Sequence, residues 1–185
     1  MKTVEEMGHG VLDVFPLETS EEFLLRLLTD IFENHWSGIR FGTMVQGAVF
    51  EIAAPNPPQR ISLSDGYVTV DFGPWHFHIC IGEYRGSRRK TPIDPALAAH
   101  RRTSRAELYR KLNGEGAPTS WGMRLFNGKD EQQLTVFLPN PFLTEDHKIA
   151  QTPDWSRLCL WDHLRREFLG LAPDGKDRSA AGFSH

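Results

Sequence analysis

The sequence predicts a single α+β domain over residues 1–185, with a mostly antiparallel sheet of about six strands and three main helices packed on one face. Three observations predict it. Capped apolar stripes at helical spacing occur at Phe23–Phe32 and Leu158–Phe168. Between Met44 and Ile81, short apolar segments are punctuated by Pro, Gly and Asp. A further pair of alternating segments flanks Asn127-Gly128. Strands grouped in runs, instead of alternating singly with helices, argue against a parallel sheet.

Residues 1–17 read as an irregular arm. Thr19-Ser20-Glu21-Glu22 has the form of a capping box, with Thr19 as N-cap, and Phe23, Leu24, Leu27, Leu28, Ile31 and Phe32 follow on one helical face. That helix is expected to end near Asn34-His35. Met44–Ile52 reads as a strand with Gly47 a bulge, and Pro55, Pro57 and Pro58 bar the next segment from a sheet interior. Ile61–Leu63, Tyr67–Phe72 and Trp75–Ile81 complete a four-strand meander. Asp94-Pro95 begins a second helix that is expected to run to Leu112, with a possible break at Thr103-Ser104. Trp121–Phe126 and Gln133–Leu138 form a hairpin, and Asp154 caps a third helix ending at Gly170. The tail, 174–185, is small and polar and reads as fraying, like the N-terminal arm.

Composition narrows the class. No apolar run reaches the roughly 20 residues needed to cross a bilayer, and Met1–Glu6 lacks a signal-peptide core, so a cytoplasmic protein is expected. The two cysteines, Cys80 and Cys159, read as reduced thiols, not a disulfide framework. Net charge is −3, yet residues 85–111 carry nine Lys and Arg against two acids, +7, leaving −10 elsewhere. A basic island in an acidic chain suggests a local anion site more than affinity for nucleic acid.

The chemistry concentrates in Trp75-His76-Phe77-His78-Ile79-Cys80-Ile81. Successive side chains of a strand point to opposite faces, so Trp75, Phe77, Ile79 and Ile81 form an apolar row. His76, His78 and Cys80 share the other face. A two-residue turn at Gly73-Pro74 pairs Phe72 with Trp75. It then sets Asp71 opposite His76, Thr69 opposite His78 and Tyr67 opposite Cys80. Two imidazoles and one carboxylate are the donor set of a non-haem Fe(II) facial triad and equally suit a catalytic zinc. The candidate metal ligands are therefore His76, His78, Asp71 and Glu83.

The spacing His76-x-His78-x4-Glu83 resembles the first motif of the cupin family over Gly73–Gly86. That resemblance implies a jelly-roll barrel whose histidines and glutamate bind a metal. The second motif's histidine has no counterpart around Asn127–Asn140.

Arg85, Arg88, Arg89 and Arg101 are the candidate substrate-binding residues, since arginine clamps carboxylate or phosphate bidentately. Together these features predict a small metalloprotein enzyme. It would use Fe or Zn for oxidation or hydrolysis of a small anionic molecule. The alternative is a non-enzymatic ligand-binding or protein-interaction domain without metal. Membrane and nucleic-acid partners are not expected, and the sequence carries no signal for oligomeric state.

Overall fold

The structure is a computed structural model that describes residues 1–45, 47–86 and 92–183. The chain is α+β. A six-stranded antiparallel sheet has the order β1 (Lys2–Glu6), β2 (Gly10–Leu17), β9 (Thr103–Leu112), β10 (Pro118–Asn127), β11 (Gln132–Phe137), β3 (Arg40–Gly42). A two-stranded ribbon pairs β4 (Met44–Val45) with β5 (Ala48–Val49). A three-stranded meander runs β6 (Arg60–Ser64), β7 (Tyr67–Asp71), β8 (His76–Cys80). The three α-helices are α1 (Glu21–Thr29), α2 (Pro95–Arg101) and α3 (Cys159–Leu169). Among the described residues no helix is long and apolar enough to cross a membrane. Two compact units are distinguished: residues 1–17, 107–123 and 136–185, and residues 18–106 with 124–135.

In the second unit, α1 starts one residue later than its sequence pattern suggests. Ser20, not Thr19, is the N-cap, its hydroxyl accepting from the Phe23 amide at 3.3 Å. Leu24, Leu27 and Leu28 are buried, and a π-helical turn over Asp30–Asn34 carries the stripe on to Ile31 and Phe32. Phe32 meets Phe41 at 5.0 Å and Phe77 at 5.3 Å, both edge to face. The expected single strand at Met44–Ile52 is instead the β4–β5 ribbon, with Gly47 in the left-handed region (φ 84°) at its turn. The meander accordingly has three strands, not four. Asp65 and Gly66, at φ 52° and 77°, make the β6–β7 turn, the pairing that two-residue hairpins favour.

The helix expected through Leu112 stops at Arg101. Asp94 caps it, accepting from the Ala96 amide at 2.9 Å, and Arg102 is extended at φ −66°, ψ 141°. Thr103–Leu112 is the strand β9, in which Ala106, Leu108, Arg110 and Leu112 are all buried. That period of two had been masked by the helix-forming composition of Arg105, Ala106, Glu107 and Leu108.

The first unit corrects both terminal expectations. The arm is the hairpin β1–β2, with Val4 opposite Leu12 and Lys2 opposite Val14. The tail is built into a buried charge network. A short 3₁₀ turn at Gly175–Arg178, capped by Asp174, buries Asp177 completely. Asp177 Oδ1 accepts from Arg110 Nη1 at 2.8 Å and Trp121 Nε1 at 2.9 Å. Asp177 Oδ2 accepts from Trp161 Nε1 at 2.8 Å and Arg165 Nη1 at 3.2 Å. Asp13 accepts from Arg110, Lys176 and Thr3 at 3.0, 2.9 and 2.7 Å. Burial pushes the Asp13 carboxyl up, but the bonds from Lys176, Thr3 and Arg110 outweigh it and hold the group below the usual carboxylate range. Asp154 caps a 3₁₀ turn (Trp155–Leu158) that leads into α3, and Gly170 closes α3 in the left-handed conformation at φ 65°.

Candidate functional site

The β7–β8 hairpin has the register expected from the sequence. Asp71 lies opposite His76, Val70 opposite Phe77, Thr69 opposite His78, Val68 opposite Ile79 and Tyr67 opposite Cys80. The Gly73-Pro74 turn is closed by the Phe72 amide donating to the Trp75 carbonyl at 3.0 Å. Val68, Val70, Ile79 and Ile81 are buried, while His76 and His78 are exposed. The predicted division into an apolar and a polar face follows from this pairing.

On the polar face, Thr69 Oγ1 lies 2.7 Å from His78 Nδ1, a contact that orients that ring and leaves Nε2 as its other nitrogen. The His76 and His78 rings are 4.9 Å apart. Asp71 faces His76 in register, but its Oδ1 accepts from the Gly73 amide at 2.9 Å and its Oδ2 is 3.9 Å from Arg60 Nη2. The carboxylate is thus engaged in pinning the turn. Farther along, Cys80 and Tyr67 adjoin. Burial raises the Cys80 thiol above its ordinary value, against hydrogen bonding from Tyr67 and the charge of Arg101, so this cysteine is not an activated thiolate. Burial, with Cys80 adding to it, likewise raises the Tyr67 phenol.

Beside this strand lies a cavity of about 360 Å³, within the range of small-molecule sites. Its walls are Phe41, Phe50, Ile52, Trp75, Phe77 and Leu134, with His76, His78 and Gln133 contributing polar atoms. Phe50 and Ile52 remain 53 % and 42 % exposed at its rim. The strand pattern over Trp75–Ile79 is local in the sequence, whereas Phe41, Phe50, Ile52 and Leu134 are not marked by it. The segments carrying them are far apart in the chain, and no local pattern marks them as neighbours. Gly42 contributes a close approach: a Cβ there would lie 2.1 Å from the Phe50 carbonyl oxygen.

The remaining candidates disperse. Glu83 binds Arg85, whose Nη2 and Nε donate to its Oε2 at 2.7 and 3.1 Å. Both line a different, polar cavity with Glu21, Asp65 and Arg102. Arg101 stacks its guanidinium over Tyr84 at 5.3 Å. Arg88 and Arg89 lie outside the described residues. Among the described residues of the basic island, Arg105 pairs with Asp130 at 2.6 Å, and Arg110 is buried among carboxylates. The His76-x-His78-x4-Glu83 spacing therefore does not assemble the cupin ligand set. The sheet order is also not that of a jelly roll.

No curated protein matches the sequence. Among solved structures, the crystal structure of ChuX is similar to this chain, with a TM-score of 0.45 and 13% sequence identity over 75% of this chain and 68% of that one. The model of the family of unknown function DUF7676 matches residues 1–170, and the chain belongs to that family.

Proposed function

We propose that the chain binds a small molecule in the cavity beside β8. The observation that carries this is an aromatic-walled cavity of about 360 Å³ bordered by two exposed imidazoles, His76 and His78. An apolar cavity with a few convergent polar groups is the usual form of a ligand site. Rim side chains Phe50 and Ile52 stay exposed, as apolar groups do when they serve binding. The imidazoles and the aromatic walls together suit a small aromatic anion, which Arg85 and Arg101, engaged with Glu83 and Tyr84, do not contact as placed. An anionic dye, 8-anilinonaphthalene-1-sulfonate, tests the reading. Wild type is expected to enhance its fluorescence saturably, and Phe50→Ser, a rim change, to weaken binding. Dye binding that is absent, or unaffected by Phe50→Ser, overturns it.

A second reading is favoured by the Thr69–His78 contact. A hydrogen bond to the non-ligating nitrogen is how proteins orient metal-binding histidines. His76 and His78 would hold one divalent ion, iron or zinc, between their rings. The Gly73 amide holds Asp71 Oδ1, so Oδ2, 3.9 Å from Arg60, is the oxygen that would complete a triad for oxidation or hydrolysis. Isothermal titration with Zn²⁺ against His76→Ala/His78→Ala decides it. Equal, negligible heats in both eliminate the metal.

A further inference from the structure

A strand can line one cavity with consecutive residues only if the cavity runs along its edge. Trp75, His76, Phe77, His78 and Ile79 all line the same cavity, although their side chains alternate between faces. β8 is the terminal strand of the meander, so one of its edges is unpaired. Hydrogen-bond parity shows which backbone groups point that way. At one end the Phe72 amide donates to the Trp75 carbonyl, and at the other the Ile81 amide donates to the Gly66 carbonyl at 2.9 Å. Hydrogen-bonded pairs alternate along an antiparallel ladder. Trp75, Phe77, Ile79 and Ile81 therefore spend their backbone groups on the β7 side. The N–H and C=O of His76, His78 and Cys80 face the open edge.

The Cys80 carbonyl is met by the Thr103 hydroxyl at 3.0 Å. Among the described residues, no hydrogen bond reaches the outward backbone groups of His76 or His78. The His76 carbonyl and the His78 amide stand next to each other along this edge, one accepting and one donating. They are flanked by the rings of Phe41, Trp75 and Phe77.

Resting on the small-molecule reading above, we propose that the occupant is a planar heteroaromatic compound with an adjacent N–H donor and carbonyl or ring-nitrogen acceptor on one edge. That edge would bond the His76 carbonyl and the His78 amide, while the rings beside β8 cover its faces. A flat ring suits aromatic walls, and a donor–acceptor edge is what an unpaired strand recognises in place of another strand. The imidazoles then stand at the rim, free to meet a substituent instead of the ring edge.

Three probes of one shape test this: quinolin-2-one, which has both groups, its N-methyl analogue, which lacks the donor, and naphthalene, which has neither. Amide and methyl NMR shifts of the full chain report the site. Quinolin-2-one is expected to bind roughly threefold to tenfold tighter per hydrogen bond gained than naphthalene. Quinolin-2-one should move the His78 amide strongly downfield, and naphthalene, which has no acceptor, should not. His78→Pro removes that N–H without touching the β7 ladder, because Pro is tolerated on an unpaired edge. It should remove one hydrogen bond's share, roughly threefold to tenfold, of the preference over naphthalene, whereas His78→Ala should keep the full preference. Equal binding of all three probes, with shifts at Phe50, Ile52 and Leu134, overturns the edge-recognition proposal and leaves the cavity reading standing. Binding of none of them, with no shift at those residues, overturns both. Preference for an extended peptide such as Ac-Val-Thr-Val-NHMe over quinolin-2-one overturns the heteroaromatic assignment.

Discussion

Asp177→Ala is the sharpest perturbation of the first unit. The carboxylate is fully buried and takes hydrogen bonds from Arg110, Arg165, Trp121 and Trp161. The Arg110 and Arg165 side chains are themselves only 1% and 6% exposed. Removing the anion leaves Arg165 without its carboxylate and strips Arg110 of one of three. Breaking a buried ion pair from one side costs about 3–5 kcal/mol. Two orphaned indole donors, each costing roughly 1–3 kcal/mol when left unsatisfied, press the loss toward the upper end of that range. For a chain of this length, that is a fall in Tm of roughly 6–20 °C. The comparison is Asp174→Ala. Its carboxylate is 35% exposed and accepts from Arg110 at 2.8 Å and, as the turn's cap, from the Lys176 amide at 3.0 Å, so about 1–3 kcal/mol is expected. Urea unfolding followed by tryptophan fluorescence and by far-ultraviolet circular dichroism measures both. A loss below about 1 kcal/mol for Asp177→Ala, or a larger loss for Asp174→Ala, would refute the reasoning that the tail's carboxylate neutralises a buried cationic site.

Three further outcomes are expected. Asp13 and Asp174 both have depressed carboxyl pKa values; in Asp174 burial opposes the shift, and the Lys176 amide and Arg110 outweigh it. Their stabilisation is thus complete above the unfolded carboxylate value of about 3.9 and lost as pH falls through the lower folded values. Asp13→Asn should therefore lower stability at pH 7 and flatten the acid limb of a stability–pH curve; an unchanged limb would contradict this. Phe72→Ala, at a fully buried ring, should cost about 3–5 kcal/mol, and Phe77→Ala, half-buried, about 2 kcal/mol. His78→Ala should cost under about 1 kcal/mol in metal-free buffer, and the reverse order in urea melts would reassign the faces of β8. If His76 and His78 hold a divalent ion, zinc should raise the Tm of wild type and leave that of His76→Ala/His78→Ala unchanged, and an equal rise in both would place the ion elsewhere.

What the sequence determined by itself was carried by short-range patterns. The Gly73-Pro74 turn and period-two alternation were enough to set the β7–β8 register, because a two-residue hairpin leaves no freedom in pairing. The stripe of Leu24, Leu27, Leu28 and Ile31 marked the first helix, and Asp154 and Gly170 bracketed the third. Tertiary structure decided the rest. Thr103–Leu112 has helix-forming composition, yet β9 sits between β2 and β10, and pairing on both edges outweighs propensity that differs by tenths of a kcal/mol per residue. Arg110 read as part of a surface basic run, since a buried arginine is intelligible only once Asp13 and Asp177, 97 and 67 positions away, are beside it. The tail read as frayed because its residues are small and polar. Its turn at Gly175–Arg178 is built into the fold, where the Asp177 carboxylate meets four buried donors. The cavity likewise comes from Phe41, Phe50, Trp75–Ile79 and Leu134, segments whose meeting no local pattern encodes. Turns and alternation act between neighbours in the chain, whereas desolvated charge pairs and cavity walls exist only after distant segments have met.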